Sequence, residues 1–322
     1  MTLVRGDGEG AARPDVSVLI PAKDEAENLN ELVRQLQDAL APQPYSCEVV
    51  VIDDGSRDAT PEVLRRLAGQ HTFLRVVTHR AQRGIADALR TGAEAAEGRV
   101  LVFWPADLQY LPADIPTLVA PVLAEEADIA TGAKQGHYDK RFVSAVYNRL
   151  CRWLFGVRVT DLNSVKAYRR EVMDGLPMRP DWHRFMVVIA AGQGFRLTER
   201  PVPLHPRRAG RSKFGIGRIP VGVLDLVSVW FQLRFGRKPM LFFGVTGALL
   251  VFLGIVVGVW EFVQRYVHQQ GNRAVLYLVM LLVLAGLILF AFGFVGELVA
   301  GQREEIRALH REIDQMREEQ AP

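Results

Sequence analysis

Two long apolar stretches near the C-terminus stand out from the alternating pattern of apolar and polar positions in the rest of the chain. They cover Pro239–Trp260 and Ala274–Gly296 and contain no charged side chain. A helix needs ~20 apolar residues to cross the ~30 Å hydrocarbon core of a bilayer. We therefore predict two transmembrane helices, at about 239–262 and 274–298, after a polar domain.

Short apolar runs alternate with helical periodicity in that polar domain. The runs that predict buried strands are Val16–Ile20, Glu48–Ile52, Leu74–Val77 and Val100–Phe103. The segments between them that predict helices include Leu29–Leu40 and Gly84–Ala95. A further helix is predicted to have Thr60 as its cap and Pro61 at its first position. This alternation predicts right-handed crossovers and a mostly parallel sheet.

Polar residues follow three of the predicted strands directly, at Pro21–Glu25, Asp53–Ser56 and Asp107–Gln109. Ligands of open α/β sheets bind at the carboxyl ends of the strands, so these segments mark the candidate site. Asp107 and Gln109 offer hard oxygen ligands suited to Mg²⁺ or Mn²⁺. The alternative is that Asp107 only caps a helix predicted around Pro112–Leu118.

Composition excludes several other classes of protein. No Gly-x-Gly-x-x-Gly or Walker-type motif is present, which disfavours dinucleotide oxidoreductases and P-loop enzymes. A net charge of +3 is too small to indicate a nucleic-acid partner, and two cysteines give no disulfide framework. Residues 1–14 form a polar, flexible N-terminus without the apolar core of a signal peptide, so we expect the polar domain in the cytoplasm.

Basic residues flank the apolar stretches unevenly. Arg234, Arg237 and Lys238 precede the first, three arginines from Arg303 to Arg311 follow the second, and the loop at 261–273 holds two. By the positive-inside rule both termini face the cytoplasm, in a multi-pass protein of the inner membrane.

Two further segments complete the predicted layout. Residues 215–238 predict interfacial amphipathic helices, and 301–322 a cytoplasmic C-terminal helix. Apolar residues at Ile306, Leu309, Ile313 and Met316 in that helix allow either a short coiled coil, and with it a homo-oligomer, or a helix on the membrane surface.

Three motifs resemble, in order and spacing, the inverting family-2 glycosyltransferases: Val18–Glu25, Val51–Ser56 and Ala106–Gln109. Further segments are similar to the polyprenyl-phosphate branch of that family, which includes dolichyl-phosphate mannose synthase and bacterial undecaprenyl-phosphate sugar transferases. These are Asp161–Ser164, His183–Phe185 and Arg207–Lys213, followed by the two spans. The resemblance covers about residues 16–300. It implies the A-type nucleotide-sugar transferase fold, with a catalytic domain at 15–214.

The resemblance also implies roles for individual residues. Asp53 and Glu25 would read the base and ribose of the donor, and Asp107 with Gln109 would hold Mg²⁺ or Mn²⁺. Asp53 and Glu25 could each instead be only a turn former or a helix-start charge. The implied nucleotide-sugar site comprises Pro21, Ala22, Lys23, Glu25, Val51, Asp53, Gly84, Pro105, Ala106, Asp107, Gln109, Arg207 and Lys213.

The implied acceptor-phosphate residues are Lys134, Lys140, Arg141 and Ser144. A lipid phosphate is already ionised near neutral pH, so positive charge is needed more than a general base. Asp161, counted with Asp107 as catalytic, would orient the acceptor or act as a base, unless it only forms a turn. His183 has no metal-ligand spacing and is predicted to be a hydrogen-bonded structural residue.

The chain departs from the family pattern at three positions. Pro105 replaces the first Asp of the usual Asp-Ala-Asp, Asp24 stands where Asn is usual, and Lys23 where an aromatic residue is common. These changes leave the sugar and the base of the donor open.

The resemblance predicts a membrane-anchored transferase that moves one sugar, with inversion, from a UDP- or GDP-linked donor to polyprenyl phosphate. A processive polysaccharide synthase is an alternative, but Gln-x-x-Arg-Trp is missing and two spans are few for a translocation channel. A degenerate transferase that acts as a membrane scaffold is the non-enzymatic alternative, motivated by Pro105.

Overall fold

The computed structural model describes residues 3–4, 13–136, 149–157, 159–162, 164–176, 179, 182–206, 219–236 and 238–319. The chain divides into two compact units, Met1–Leu226 and Val227–Pro322. The first unit is an α/β domain and the second is helical.

An eight-stranded mixed sheet forms the first unit, in the order β1-β4-β3-β2-β5-β7-β6-β8. Strands β2 to β5 run parallel to one another, β1 and β7 pair antiparallel with their neighbours, and β8 pairs parallel with β6. The strands are β1 Leu3–Val4, β2 Val16–Ala22, β3 Cys47–Asp53, β4 Leu74–Thr78, β5 Val100–Phe103, β6 Ile129–Gln135, β7 Lys166–Arg169 and β8 Leu197–Pro203.

The four predicted strands are confirmed, because continuous apolar runs of this length suit strands that are buried on both faces. The helices are α1 Ala26–Leu40, α2 Thr60–Gln70, α3 Ile85–Ala95, α4 Ile115–Leu123, α5 Arg170–Asp174, α6 Met186–Gly192, α7 Ile219–Phe235, α8 Pro239–Tyr266 and α9 Arg273–Glu319. The predicted cap of α2 is wrong: Ala59 is the N-cap residue, and the Thr60 hydroxyl instead accepts the Glu25 amide at 2.9 Å.

Helices cover both faces of the sheet. On one face, apolar side chains of α1 and α4 pack with those of β2, β3 and β5 in a continuous core. On the other face α3 lies against β2 and β3. A Cβ at Gly92 of α3 would be 2.7 Å from Cδ1 of Ile52, so glycine permits this close approach. The two layers leave the carboxyl ends of the parallel strands as the accessible edge.

The second unit contains two helices that are long and apolar enough to cross a bilayer. They are Pro239–Tyr266 and Arg273–Ile306, and an 18-residue window of each has a mean hydropathy of 2.6 and 3.0, respectively. Only 17% and 6% of their most apolar windows are buried, so their large apolar side chains face outwards. Such a surface suits hydrocarbon rather than water.

The structure differs from the prediction around these helices in two respects. The first helix continues to Tyr266, and the carboxylate of its buried Glu261 accepts the Asn272 amide of the short connection. The second helix runs without a break from Arg273 to Glu319, so the C-terminal helix predicted at 301–322 continues the second span. Segment 215–238 contains one described helix, α7, with apolar side chains exposed at Val223 and Leu224.

Glycines bring α8 and α9 into backbone contact. A Cβ at Gly247 would lie 2.5 Å from the carbonyl oxygen of Gly286, and a Cβ at Gly286 would lie 2.6 Å from that of Gly247. Small residues that allow such contact drive helix association where water is absent. Glu297 of α9 also accepts the Met240 amide at 3.2 Å, as Glu261 does for Asn272. Each helix thus satisfies a backbone donor at the start of the other.

We predict that Gly286→Leu separates α8 and α9, because a side chain cannot share space with the Gly247 carbonyl. The expected loss is ~1–3 kcal/mol of stability, typical of overpacking. Thermal unfolding of the full chain in lipid nanodiscs measures it. Gly301→Leu is the matched control on the same helix, since a Cβ there meets nothing within 4 Å. Equal unfolding temperatures for both variants would contradict the backbone contact.

Candidate active site

The carboxyl ends of β2, β3 and β5 lie side by side. Ala22 pairs with Asp53 at the last position of the β2–β3 ladder, and Leu19 pairs with Phe103 at the end of β5. Beyond this, the Trp104 amide donates to the Leu19 carbonyl at 3.0 Å. The predicted convergence of the three polar segments at one edge of the sheet is therefore observed.

The loops after β2 and β3 are joined by hydrogen bonds. Lys23 Nζ donates to the Gly55 carbonyl, and the Asp24 amide donates to Ser56 Oγ at 2.9 Å. Asp24 Oδ1 in turn accepts the Arg57 amide at 2.8 Å. Asp24 has a positive φ of 52°, which Asn and Asp tolerate better than most residues, so Asp serves where the family usually has Asn.

Asp53 presents a buried carboxylate with one oxygen engaged. Its Oδ1 accepts the Ser56 amide at 3.0 Å, whereas Oδ2 has no hydrogen-bond partner among the described residues. The residue is only 1% exposed. An unpaired buried acceptor is costly, and a ligand that donates a hydrogen bond would remove the cost. Glu25 differs, because its Oε2 already accepts the Asn28 side chain at 2.8 Å.

The neighbouring Asp54 has a structural role that the sequence pattern did not reveal. Its carboxylate accepts the amides of Arg83 and Gly84, both at 2.8 Å, and is 2.9 Å from Nδ1 of His79. The opposite ring nitrogen of His79 contacts Thr91 Oγ1 of α3 at 3.0 Å. Asp54 thus holds the loop that ends at Gly84, the N-cap residue of α3 with φ 94°.

Asp107 and Gln109 follow β5 in a turn whose residues alternate between open and buried positions. Pro105, Asp107 and Gln109 are partly exposed, whereas Ala106, Leu108 and Tyr110 are buried. Asp107 Oδ1 accepts the Gln109 amide at 3.2 Å. The alternative that Asp107 caps the next helix is wrong, because Leu111 precedes the 3₁₀ turn Pro112–Asp114 that leads into α4.

The side-chain oxygens of Asp107 and Gln109 in this turn are of a kind that binds divalent cations. Carboxylate and amide oxygens are ligands that Mg²⁺ and Mn²⁺ accept, and Mg²⁺ usually takes only one or two carboxylates together with substrate phosphates. The described residues contain no group of three His, Cys, Asp or Glu side chains that could hold a metal alone. Asp107 and Gln109 would therefore hold the ion together with a phosphorylated substrate.

An ion pair lies next to this turn, at the ends of β6 and β8. Lys134 Nζ is 3.0 Å from Asp161 Oδ2, and both side chains are largely buried. Two contacts link the turn after β5 to the segments around this ion pair. The Gln109 carbonyl accepts the His205 amide at 2.8 Å, and Tyr110 Oη is 3.3 Å from Ser164 Oγ. The structure thus connects the turn that holds Asp107 with the segments that follow β8 and Asp161, which are far from it in the sequence.

A second lysine of this region, Lys166, was not recognised from the sequence. It lies on β7, is 1% exposed, and donates from Nζ to the Ser164 carbonyl at 2.7 Å. Burial lowers its pKa to about 7, against an opposing effect of Asp161. A lysine in a short strand looks like a solvent-facing residue, so the sequence contained no signal for its burial.

His183 is buried, as expected of a structural residue, but its Nδ1 has no hydrogen-bond partner among the described residues. Its ring meets Phe103 edge-on at 6.5 Å between ring centroids. Burial, with the charge of Lys166 as a second cause, lowers its pKa to about 3. His183 is therefore neutral near pH 7, and the predicted hydrogen bond is not seen at this nitrogen.

The remaining predicted site residues divide into three groups. Pro21, Lys23 and Gly84 are partly exposed at the strand-end edge. Ala22, Val51 and Ala106 belong to the hydrophobic core, which argues against side-chain contact between Val51 and a ligand. Five predicted residues lie outside the described part of the chain: Lys140, Arg141, Ser144, Arg207 and Lys213.

Comparison with known proteins matches residues 17–177 to the model of Glycosyl transferase family 2. A dodecaprenyl-phosphate galacturonate synthase of Rhizobium johnstonii is 28% identical over 308 residues, covering 92% of this chain and 91% of that protein. An undecaprenyl-phosphate 4-deoxy-4-formamido-L-arabinose transferase of Pseudomonas savastanoi is 27% identical over 306 residues, covering 92% and 88%.

Solved structures show the same fold. Glucosyl-3-phosphoglycerate synthase of Mycobacterium tuberculosis, in complex with Mn²⁺, UDP and phosphoglyceric acid, matches with a TM-score of 0.55 at 19% identity. The match covers 68% of this chain and 78% of that one. The same enzyme with Mg²⁺ and UDP gives a TM-score of 0.53 at 20% identity, covering 68% and 79%. The family model and the two relatives identify the protein as a glycosyltransferase. The chain belongs to glycosyl transferase family 2.

The two adjacent aspartates should respond differently to removal of their charge. Asp54→Asn should cost ~1–3 kcal/mol of stability, because an amide nitrogen cannot accept the backbone donors that Asp54 holds. Asp53→Asn should cost much less, since Oδ1 can still accept the Ser56 amide and none of the described residues donates to Oδ2. Thermal unfolding of both variants tests this contrast. A larger loss for Asp53→Asn would show that the two carboxylates have been assigned the wrong roles.

Proposed function

We propose that this glycosyltransferase moves a single sugar, with inversion, from a nucleotide sugar to polyprenyl phosphate at the cytoplasmic face of the inner membrane. The observation that carries the proposal is the Lys134–Asp161 pair beside the Asp107 turn, in a chain that also has two helices suited to a bilayer. Support comes from relatives named for transfer to dodecaprenyl and undecaprenyl phosphate, which this chain matches over nearly their whole length.

The donor would bind at the ends of β2, β3 and β5. Asp53 offers Oδ2, which has no hydrogen-bond partner among the described residues, to a donor group of the nucleotide. Asp54 keeps the loop before Gly84 in place beside it. Asp107 and Gln109 would hold a divalent cation, which stabilises the negative charge that grows on the departing diphosphate. Pro105 contributes no charge at this turn, so the sugar is recognised without a carboxylate at that position.

The acceptor phosphate would bind at Lys134. One of its oxygens attacks the anomeric carbon as the bond from that carbon to the diphosphate oxygen breaks, which inverts the configuration. The phosphate is ionised before it arrives, so Lys134 has to attract and orient it while Asp161 orients Lys134 across 3.0 Å. The apolar helices α8 and α9 would keep this site near the surface at which the lipid phosphate emerges, which raises its effective concentration.

We expect a lipid-linked sugar when the full chain in nanodiscs receives undecaprenyl phosphate, a divalent cation and a panel of UDP- and GDP-sugars. Chelation should abolish the product, and Asp107→Asn should do so without a change in unfolding temperature, because a neutral amide binds a hard cation poorly. Product formation in excess chelator would contradict the metal site. A wild-type chain that makes no product from any donor would favour the scaffold alternative.

Lys134→Ala should raise KM for undecaprenyl phosphate ~10- to 100-fold, as expected when one charge-assisted phosphate contact of ~1.5–3 kcal/mol is lost. KM for the nucleotide sugar should stay near the wild-type value. Steady-state kinetics with each substrate varied in turn measure the difference. Arg34→Ala is a matched control, since Arg34 is an exposed cation of α1 that pairs with Glu31 and Asp38. Equal increases in both KM values would refute a separate acceptor site.

A further inference from the structure

We infer that Glu199 is a positioning residue of the acceptor site: its carboxylate holds the backbone that carries Asp161, and Asp161 in turn orients Lys134. The inference rests on the proposed function and adds a residue to the same site. Glu199 would touch neither substrate. It would act through hydrogen bonds to the backbone before and at Asp161, whose side chain contacts Lys134.

The segment that carries Asp161 has no regular secondary structure. Residues 159–162 belong to no helix or strand, so no ladder of backbone hydrogen bonds fixes them. Val159 and Leu162 are buried and hold the two ends of the segment in the interior. Apolar packing is non-directional, however, and does not set the orientation of the peptide groups between them. A buried backbone amide needs an acceptor, and for Asp161 a side chain has to provide it.

Glu199 provides this acceptor from β8. Its Oε1 accepts the Thr160 amide at 2.7 Å, the Thr160 hydroxyl at 2.6 Å and the Asp161 amide at 3.2 Å. The strand itself is fixed, because β8 pairs with β6 over seven residues and Glu199 is in register with Thr131. One carboxylate oxygen therefore ties two successive peptide groups of an irregular segment to the sheet.

The Asp161 side chain carries this constraint to the acceptor site. Its Oδ2 is 3.0 Å from Nζ of Lys134, which lies on β6. The ammonium of a lysine ends a flexible stem of four carbons, so its position depends on the groups that it contacts. A shift of the Asp161 backbone would move one of those groups. The lysine would then present its charge to the phosphate in a less defined position.

Other contacts fix the chain on the C-terminal side of Asp161. The Gly132 amide donates to the Val165 carbonyl at 2.9 Å, and Ser164 Oγ is 3.3 Å from Tyr110 Oη in the turn after β5. None of these contacts involves the carboxylate on β8. Its removal should therefore loosen the backbone at residues 160 and 161 and leave the turn after β5 in place. The expected defect is one of acceptor binding and not of donor binding.

The test uses three substitutions that separate the reach of the side chain from its charge. Glu199→Gln keeps an oxygen at the position of Oε1 without the charge, Glu199→Asp keeps the charge on a shorter side chain, and Glu199→Ala removes both. The full chain in nanodiscs is titrated calorimetrically with farnesyl phosphate, without donor. If only about one molecule in ten keeps the binding arrangement once the bonds are lost, Kd rises about tenfold. We expect this increase for Glu199→Ala and Glu199→Asp, and a Kd within about threefold of wild type for Glu199→Gln.

The comparisons are matched in charge. Glu199→Gln and Glu199→Ala lack the same negative charge, so a difference between them cannot come from repulsion of the phosphate. Glu199→Asp has the charge of the wild type, so this pair tests reach even if Glu199→Ala fails to fold. Glu126→Ala is the control for loss of an exposed glutamate that lies 3.8 Å from Arg200 of β8, and its Kd should be unchanged. Equal Kd values for Glu199→Gln and Glu199→Ala, or a wild-type Kd for Glu199→Asp, would overturn the inference.

Turnover then separates this inference from the proposed function. In the transferase assay, Glu199→Ala should raise KM for undecaprenyl phosphate about tenfold and leave KM for the donor near the wild-type value. Equal increases in the two KM values overturn the role of Glu199 alone. Binding of farnesyl phosphate by a wild-type chain that makes no lipid-linked sugar overturns the transferase proposal alone. No binding by the wild-type chain overturns both.

Discussion

Ala22 and Asp53 are paired in register where two parallel strands end, and two loops of the candidate site start from this pair. The ladder places the Asp53 carboxylate at the edge of the sheet, and β5 on the other side of β2 brings the Asp107 turn to the same edge. If β3 slipped by one residue, Asp53 and Asp54 would exchange faces, since side chains alternate along a strand. Glu48 at the start of β3 opposes this slip, because its buried carboxylate accepts the hydroxyl of its register partner Ser17 on β2 at 2.6 Å.

The acidic residues at this edge divide into groups that hold the structure and groups that are available to ligands. The Asp54 carboxylate accepts the amides of Arg83 and Gly84 and contacts His79, so it holds the loop before α3 in place. Asp53 keeps a buried oxygen without a partner among the described residues, which is the expected condition of a binding group in the absence of its ligand. Asp161 stands between these cases, because its partner Lys134 is a cation that a phosphate could share.

The helical unit follows a different physical rule from the sheet. Hydrophobic burial holds the α/β domain together, whereas α8 and α9 expose most of their apolar side chains. Their association depends on close backbone contact at Gly247 and Gly286 and on the two glutamates that accept amides at the helix starts. In hydrocarbon such contacts replace the missing hydrophobic force. This agrees with a pair of helices that anchors the chain to a bilayer.

Local sequence determined much of this protein. Buried apolar runs specify β2 to β5, the uncharged stretches specify α8 and α9, and the short motifs after the strands identify Asp53, Asp107 and Gln109 as residues of one edge. These predictions succeed because burial, helical periodicity and turn chemistry are properties of a few neighbouring residues. The same reasoning failed for the cap of α2, where the Thr60 hydroxyl accepts an amide from the loop after β2 instead of capping its own helix.

Only the tertiary structure decided which charged side chains are buried and which groups they pair with. Asp53 and Asp54 are adjacent and chemically identical in the sequence. The Asp54 carboxylate accepts amides of a loop about 30 residues away, whereas Asp53 Oδ2 has no partner among the described residues. Lys166 is an ordinary strand residue in the sequence, and it becomes a buried cation only because β7 is placed between β5 and β6. Burial and pairing of a charge depend on which distant segments the sheet topology brings beside it, and local pattern carries no record of that topology.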